Sequence, residues 1–479
     1  MKTIHSMYNQ SYKKNRVWVL LIAILSVGLA SCQSYKELEK PPQIDTEGIV
    51  RGGAQAKGDS TTIADIPWKE YFPDKYLQAL IAEGLEKNLD LQIALARIKQ
   101  SKASLSISRD AGDPSLSIGA EIDHARTSSG DDGKKVLGYT TNQNSLGFVA
   151  SWEIDLWGKL NSSARAEYAN YLNSREYKNL VQTELIANIA TAYYNLLALD
   201  KKLQVTEETV VLLKKSTETM EALKEAGQQN AASVEQSRAL LYSTQLSIPP
   251  LKSQIRTQEN AICILLNRDL GTIERASIDN QKVATKLDYG VPAQLLSKRP
   301  DVKQAELSLL AAYAATDAAE ASFYPSLNIS SASFGFASGS FSNFFKIENL
   351  AANIVASLTQ PIFNKSQLTG NLKIAKAQQE EALLAFRSTV ISAGQEVSDI
   401  LYNYEASLGK NDYRNKQISS LANAVDYTQE LLIAGEAYYT EVLSAQQDLL
   451  SAQLSRIDDK LEQLNYGVNL YKALGGGTH

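Results

Sequence analysis

Cysteine, histidine and methionine are almost missing from this chain. Its 479 residues include two cysteines, three histidines and three methionines. Two cysteines cannot build the disulfide framework that staples small secreted domains. His5, His124, His479, Met1, Met7 and Met220 are scattered, and no usual transition-metal spacing arises among them. The patterns Gly-x-Ser-x-Gly and His-Glu-x-x-His and the phosphate loop do not occur. A net charge of -5 argues against nucleic acid as a partner. Beyond residue 30, no run approaches the ~18 apolar residues that a spanning helix needs. Any passage through a membrane must therefore use β-strands. These gaps together point away from an enzyme and from a resident metal or organic cofactor.

The N-terminus does carry a signal. Lys13, Lys14 and Arg16 precede an apolar run over 17–30, and Leu29-Ala30-Ser31-Cys32 follows. Residues 1–31 read as a secretory leader, too short and wrongly flanked for a spanning helix. A small-residue site ending in cysteine is also the bacterial lipobox. It predicts a mature chain starting at Cys32, with diacylglycerol on its thiol and an acyl chain on its amine. Residue 33 is Gln rather than Asp, so nothing marks retention at the inner membrane. Residues 32–66, rich in Gly, Pro, Thr and charge, read as an extended arm between lipid and body. Cys263, between Ile262 and Ile264, reads as a small buried apolar residue.

The chain then says nearly the same thing twice, and repeats decide architecture. Asn88-x-Asp90-Leu91 recurs as Arg299-x-Asp301-Val302, and Pro114-Ser115-Leu116-Ser117-Ile118 as Pro325-Ser326-Leu327-Asn328-Ile329. Ala226-Gly227 with Val234 matches Ala434-Gly435 with Val442. The two repeats are assigned to 67–267 and 299–477, joined by a linker over 268–298 expected to belt the outside of the coils.

Within each repeat a helix is expected first, the earlier one over 74–111 with Asp74 as N-cap. Two alternating segments follow. Over 115–125, Leu116, Ile118, Ala120 and Ile122 oppose Ser117, Gly119, Glu121 and Asp123. Over 145–156, Leu146, Phe148, Ala150, Trp152, Ile154 and Leu156 oppose Ser145, Gly147, Ser151, Glu153 and Asp155. The second repeat supplies 326–336 and 350–362, the latter through Ala352, Ile354, Ala356 and Leu358. The apolar phase of 326–336 slips near Ser330-Ser331, which predicts a bulge. Strands of this length, separated by polar stretches such as 128–133, fit a membrane barrel. Taken alone they fit the half-buried hairpins of a soluble sheet better, because the barrel signal is weak in any one segment. Glu153 and Asp155 share one strand face, but as part of a wet polar face rather than an acid/base pair.

Long helices follow each strand pair, over 158–267 and 364–474. Leu185, Ile189, Ala192, Leu196, Leu199 and Leu203 are spaced four and three alternately, as are Leu450, Leu454, Ile457, Leu461, Leu464, Val468 and Tyr471. That 3.5-residue period is a coiled-coil seam. A helix of about 65 residues is roughly 100 Å long. Breaks at Ala226-Gly227 and Ala434-Gly435 turn one long helix back on another, and Pro249-Pro250 is expected to kink the first return helix.

Four strands cannot close a hole in lipid, because eight make the smallest closed barrel and side chains fill its interior. Two copies would leave no lumen, whereas three give twelve strands and a water-filled bore. The fold class expected is mainly α with a membrane β-barrel: four strands per chain, a trimer with a 12-stranded barrel and a 12-helix periplasmic tunnel.

Several phrases, taken together, are specific: Trp152-Glu153-Ile154-Asp155-Leu156-Trp157-Gly158-Lys159, Leu296-Ser297-Lys298-Arg299-Pro300-Asp301-Val302, Phe323-Tyr324-Pro325-Ser326-Leu327, Gln360-Pro361-Ile362-Phe363 and Ala434-Gly435-Glu436-Ala437-Tyr438-Tyr439. With the lipobox, the chain resembles the TolC-like outer-membrane efflux factors, lipoprotein branch, which serve resistance–nodulation–division pumps. The resemblance implies a homotrimeric outer-membrane duct, lipid-anchored and spanning, with a large periplasmic extension. It also implies partners: a periplasmic adaptor and an inner-membrane pump of that class. Gate positions carried over from relatives fall on Thr440, Ser444 and Gln447, where relatives commonly have an apolar residue, a carboxylate and an arginine; an ionic lock from those side chains is not available here. Ala226, Gly227, Ala434 and Gly435 are candidate adaptor-docking residues, since small residues let another hairpin approach. Leu146, Phe148, Trp152, Ile354 and Leu358 are candidate lipid-facing residues. The function implied is a passive exit duct for small toxic compounds. The same architecture also permits a duct for type I polypeptide secretion.

Overall fold

A computed structural model describes residues 66–126, 140–282, 293–364 and 366–478. The leader, Cys32, the arm up to residue 65 and the 128–133 loop lie outside the described residues. The chain divides into two compact units. Among described residues, one unit takes Lys99–Asn173 and Glu306–Ala385, and the other takes the remainder.

The first unit holds one antiparallel sheet of β1 (Ser115–Arg126), β2 (Thr140–Ile154), β3 (Ser326–Ser338) and β4 (Leu350–Thr359), in that order. Strand pairing crosses from the first repeat to the second through β2 and β3. The register slips around Ser330, where β3 has one residue more than either neighbour, so the interrupted alternation is a bulge. Strand ends differ from expectation. β2 starts at Thr140 rather than 145, because its first residues are polar on both faces and carry no alternation. β4 stops at Thr359 rather than 362, because Pro361 has no N–H to give a ladder. Equivalent ties fix the base of each strand pair. Trp152 Nε1 donates to the Gly112 carbonyl at 2.8 Å, and Gln360 Nε2 to the Phe323 carbonyl at 3.0 Å.

The second unit is helical. It contains α1 (Trp68–Tyr71), α2 (Lys75–Lys87), α5 (Ala231–Leu246), α6 (Ile248–Leu265) and α9 (Tyr439–Ala473). It also takes most of α4 (Lys159–Glu225) and α8 (Gln367–Ala434), which run 67 and 68 residues. α3 (Leu89–Asp110) and α7 (Pro300–Ala321) complete the helices. The single helix expected over 74–111 is broken at Asn88, whose ψ of 132° leaves the helical region. Its Oδ1 caps α3 by accepting from Leu91 N at 3.0 Å, and its Nδ2 donates to the Leu265 carbonyl at 2.9 Å, the last residue of α6. Arg299 does the same work in the second repeat, with Nη1 donating to the Ala473 carbonyl at 2.7 Å, the last residue of α9. Pro249-Pro250 does not kink a helix; it starts a new one. α5 ends at Leu246, Ser247 intervenes, and the prolines occupy the first turn of α6, where no intrahelical N–H is needed.

The core of this unit surrounds the middle of α4. Leu185, Ile186, Ile189, Tyr193, Leu196 and Leu197 are all buried. That face is wider than the narrow seam expected, because Tyr193, Tyr194 and Leu197 are also apolar and α1, α2 and α6 pack around them. Tyr71 stacks on Tyr471 at 4.5 Å between ring centroids and donates its hydroxyl to the Gly467 carbonyl. The linker is pinned here as well: Arg275 pairs with Asp200 and Glu259.

Candidate functional site

Register places most of the large apolar strand residues on one face of the sheet, with Val149 and Val355 as the exceptions. Rows crossing the strands read Leu116–Ala150–Ala332–Ile354, Ile118–Phe148–Phe334–Ala352 and Ala120–Leu146–Phe336–Leu350. Below them lie Trp152–Ile329–Ala356 and Ile154–Leu327–Leu358. The opposite face reads Ser117–Val149–Ser333–Asn353 and Glu121–Ser145–Ala337, with Gly119–Gly147–Gly335–Ala351 between them. The five residues expected to face lipid share the apolar face.

In a water-soluble sheet that face would be covered. Here Leu116, Ile118, Ile354 and Leu358 are 71, 69, 75 and 66 % exposed. Nothing among the described residues packs over them. A contiguous apolar surface of this kind needs an apolar neighbour, since each such side chain gains roughly 1.5–3 kcal/mol on leaving water. No strand among the described residues pairs with the outer edges of β1 and β4. In lipid those edges demand partners. Glu153 and Asp155 are not a catalytic pair: Glu153 is bound to Lys159, and Asp155 accepts from Asn161 N at 2.8 Å near the start of α4.

The hairpin tips are the second candidate region. Both turns are closed by the same device. Gln228 N bonds to Leu223 O and Gly227 N to Lys224 O; Glu436 N bonds to Leu431 O and Gly435 N to Leu432 O. Gly227 and Gly435 take φ of 73° and 78°, the left-handed conformation that the turn requires. With Ala226 and Ala434, they are exposed. Met220, Val234, Leu432, Tyr439 and Val442 form a small buried cluster that packs the two tips together. On α9, Tyr439, Val442 and Ala445 are buried. Thr440, Ser444 and Gln447 lie on the opposite, exposed side, where Glu441 and Asp448 join them. A charge bias went unread in the sequence. Residues 417–455 contain Asp426, Glu430, Glu436, Glu441 and Asp448 and no lysine or arginine. Counting charge by segment rather than by chain would have found it.

No group of His, Cys, Asp and Glu able to hold a metal occurs among the described residues, and no described helix is long and apolar enough to cross a membrane.

The sequence model of the outer membrane efflux protein family matches residues 80–268 and 291–476. The chain belongs to that family. The solvent efflux pump outer membrane protein SrpC of Pseudomonas putida is 30% identical over 474 residues, covering 95% of this chain and 97% of its own. The probable outer membrane lipoprotein SilC of Salmonella typhimurium is 27% identical over 453 residues, covering 94% and 96%. The open state of the Neisseria gonorrhoeae MtrE outer membrane channel superposes with a TM-score of 0.82 at 27% identity, covering 93% of this chain and 99% of that one. As a member of the family, the chain is the outer-membrane channel component of an efflux system, with a periplasmic extension, and is not an enzyme. Membership of a family of outer-membrane channels sets the soluble-sheet alternative aside.

Proposed function

We propose that three copies of this chain close a single passive exit duct for small toxic compounds. The observation that carries this reading is the four-stranded sheet with an uncovered apolar face and two unpaired edges. Pairing β4 of one copy with β1 of the next removes every edge. Three copies give a twelve-stranded barrel, the smallest symmetric closure that leaves a bore. The polar face then lines water. The duct does no chemistry, and energy comes from an inner-membrane pump of the resistance–nodulation–division class through a periplasmic adaptor. The exposed tips at Ala226, Gly227, Ala434 and Gly435 meet that adaptor. Thr440, Ser444 and Gln447 face the channel axis at the periplasmic end and form its constriction. Cys32 carries the diacylglycerol and N-acyl lipid, in line with the lipobox and with the lipoprotein among the relatives. The protein is therefore both anchored to and spanning the outer membrane.

Two measurements test this. The mass of the detergent-extracted assembly should be three times that of the chain; a stable monomer would refute closure by strand sharing. Deleting the gene in its own host, with the cognate pump expressed, should raise susceptibility to solvents, dyes and detergents. Unchanged susceptibility with loss of an exported polypeptide would instead indicate a secretion duct.

A further inference from the structure

The connection between β3 and β4 is short, ordered and aromatic. Residues 339–349 contain Phe341, Phe344, Phe345 and Ile347. Two turns shape it, at Phe341–Asn343 and Ile347–Asn349. Asn349 Nδ2 donates to the Asn343 carbonyl at 2.6 Å, and Lys346 N donates to the same carbonyl at 3.2 Å. These bonds hold the loop in one shape, so the direction of its side chains is fixed.

That direction is unusual for a loop in water. Phe344 is buried against Phe336, with ring centroids 6.3 Å apart, and Phe345 meets Phe336 edge-on at 5.5 Å. Phe336 belongs to the apolar face of the sheet, in the row with Leu146 and Leu350. The cluster thus continues the membrane face past the end of the strands. Its outer members remain uncovered: Phe341, Phe345 and Ile347 are 68, 70 and 86 % exposed. Lys346 and Glu348 flank Ile347, as charged groups do where an apolar surface meets headgroups.

We propose that this loop is a lipid-binding wedge, which lies in the boundary between acyl chains and headgroups of the membrane leaflet at the loop end of the sheet. It widens the apolar girdle at that rim and fixes the depth at which the barrel sits. The occupant is lipid because the cluster is continuous, through Phe336, with the apolar face that the proposed barrel turns to the membrane. The inference rests on that assignment, so the test carries a control for it.

Single cysteines are placed by Phe345→Cys and Ile347→Cys in the full-length chain. Phe334→Cys marks the middle of the membrane face, and Asn353→Cys marks the polar face. Cys263 is fully buried, and the unaltered chain sets the labelling background. Each variant is labelled with an environment-sensitive fluorophore and reconstituted in phosphatidylethanolamine–phosphatidylglycerol vesicles. Quenching is measured with lipids that carry a nitroxide at a shallow or a deep acyl position, and with aqueous iodide. The labels at 345 and 347 should be quenched at least about twofold more by the shallow nitroxide than by the deep one, and only weakly by iodide. The label at 334 should prefer the deep nitroxide. Iodide quenching at 345 and 347 equal to that at 353 would overturn the wedge in favour of a water-exposed loop. Protection from all three quenchers would overturn it in favour of a contact between copies of the chain. Failure of the 334 control would instead overturn the membrane face itself.

Discussion

Replacing Arg299 with alanine should destabilise the helical unit more than the equivalent change in the first repeat. The Arg299 side chain makes four hydrogen bonds: to the Ala473 carbonyl at 2.7 Å, to both oxygens of Asp301 at 3.0 and 2.8 Å, and to Glu396 at 2.7 Å. Its side chain is 9 % exposed, whereas those of Asp301 and Glu396 are 32 and 38 % exposed. Removing one partner of a buried ion pair costs about 3–5 kcal/mol, because the groups left behind stay desolvated and unpaired. Water reaches both carboxylates here, so the lower end applies, about 3 kcal/mol. The Asn88 side chain makes two bonds, both neutral, and Asn88→Ala should cost about 1–2 kcal/mol for an orphaned carbonyl and a lost cap. Arg299→Lys keeps the charge but loses the planar fork and should recover about half of the loss. The assay is urea-dependent loss of helical circular dichroism in detergent, with unfolding rates compared where refolding fails. A midpoint shift for Arg299→Ala no greater than that for Asn88→Ala would refute the argument. Acidity supplies a second readout. Burial pushes the Asp301 carboxyl upward, but the hydrogen bonds and charge of Arg299 outweigh it and hold the group below the usual carboxylate range. A carboxyl depressed in the folded state stabilises above its unfolded pKa, about 3.9, and loses that contribution as pH falls through the lower folded value. The native chain should therefore lose stability on acidification below about pH 4, while Arg299→Ala should lack this part of the dependence.

Further expectations concern the sheet, the tips and the anchor. Gly335→Val should block assembly, because a Cβ there would lie 2.3 Å from both Gly147 Cα and the Leu146 carbonyl, which are backbone and cannot step aside. Gly119→Val, whose Cβ would meet only Val149 at 3.7 Å, should leave a normal yield of assembled channel in the outer membrane. Gly435→Ala should cost only about 1–2 kcal/mol, since its Cβ meets nothing and only the positive φ is penalised; loss of efflux out of proportion to that change, with the channel still assembled, would mark a docking contact. Thr440→Gly with Ser444→Gly should raise single-channel conductance in a planar bilayer, and an unchanged value would remove both from the constriction. Cys32→Ser should abolish the lipid mass on the mature chain, and an unaltered mass spectrum would refute acylation at that position.

Much of this architecture was legible because two periods are hard to confuse. Strand residues such as Leu116, Ile118 and Phe148 alternate, and the long helices repeat every 3.5 residues. The bulge at Ser330 was visible because an extra residue shifts apolar phase. The break at Asn88 escaped notice, although its sign was present: Pro300 opens α7 immediately after Arg299, and Asn88 is the equivalent of Arg299. Asparagine lacks the backbone constraint of proline, so local sequence gave no warning. The first residues of β2 were hidden because Thr141, Asn142 and Gln143 are polar in both phases. At the tips, the turns were readable from Gly227 and Gly435, whereas the inward side of α9 needed the neighbours Met220, Val234 and Leu432, which come from other helices. The aromatic cluster of the β3–β4 loop was invisible to periodicity because Phe344 and Phe345 gain meaning only when the loop folds back over Phe336.

The two bare margins of the sheet have a genetic consequence. If copies close the barrel by sharing strands as proposed, a subunit accepts a sibling on one side and offers itself to another on the opposite side, so recruitment and completion depend on different strands. A chain with a sound β1 and a spoiled β4 would still be taken into the ring and would then leave it unfinished. Such an allele should silence its healthy siblings when both are made in one cell, whereas an allele spoiled on both margins should be ignored by them.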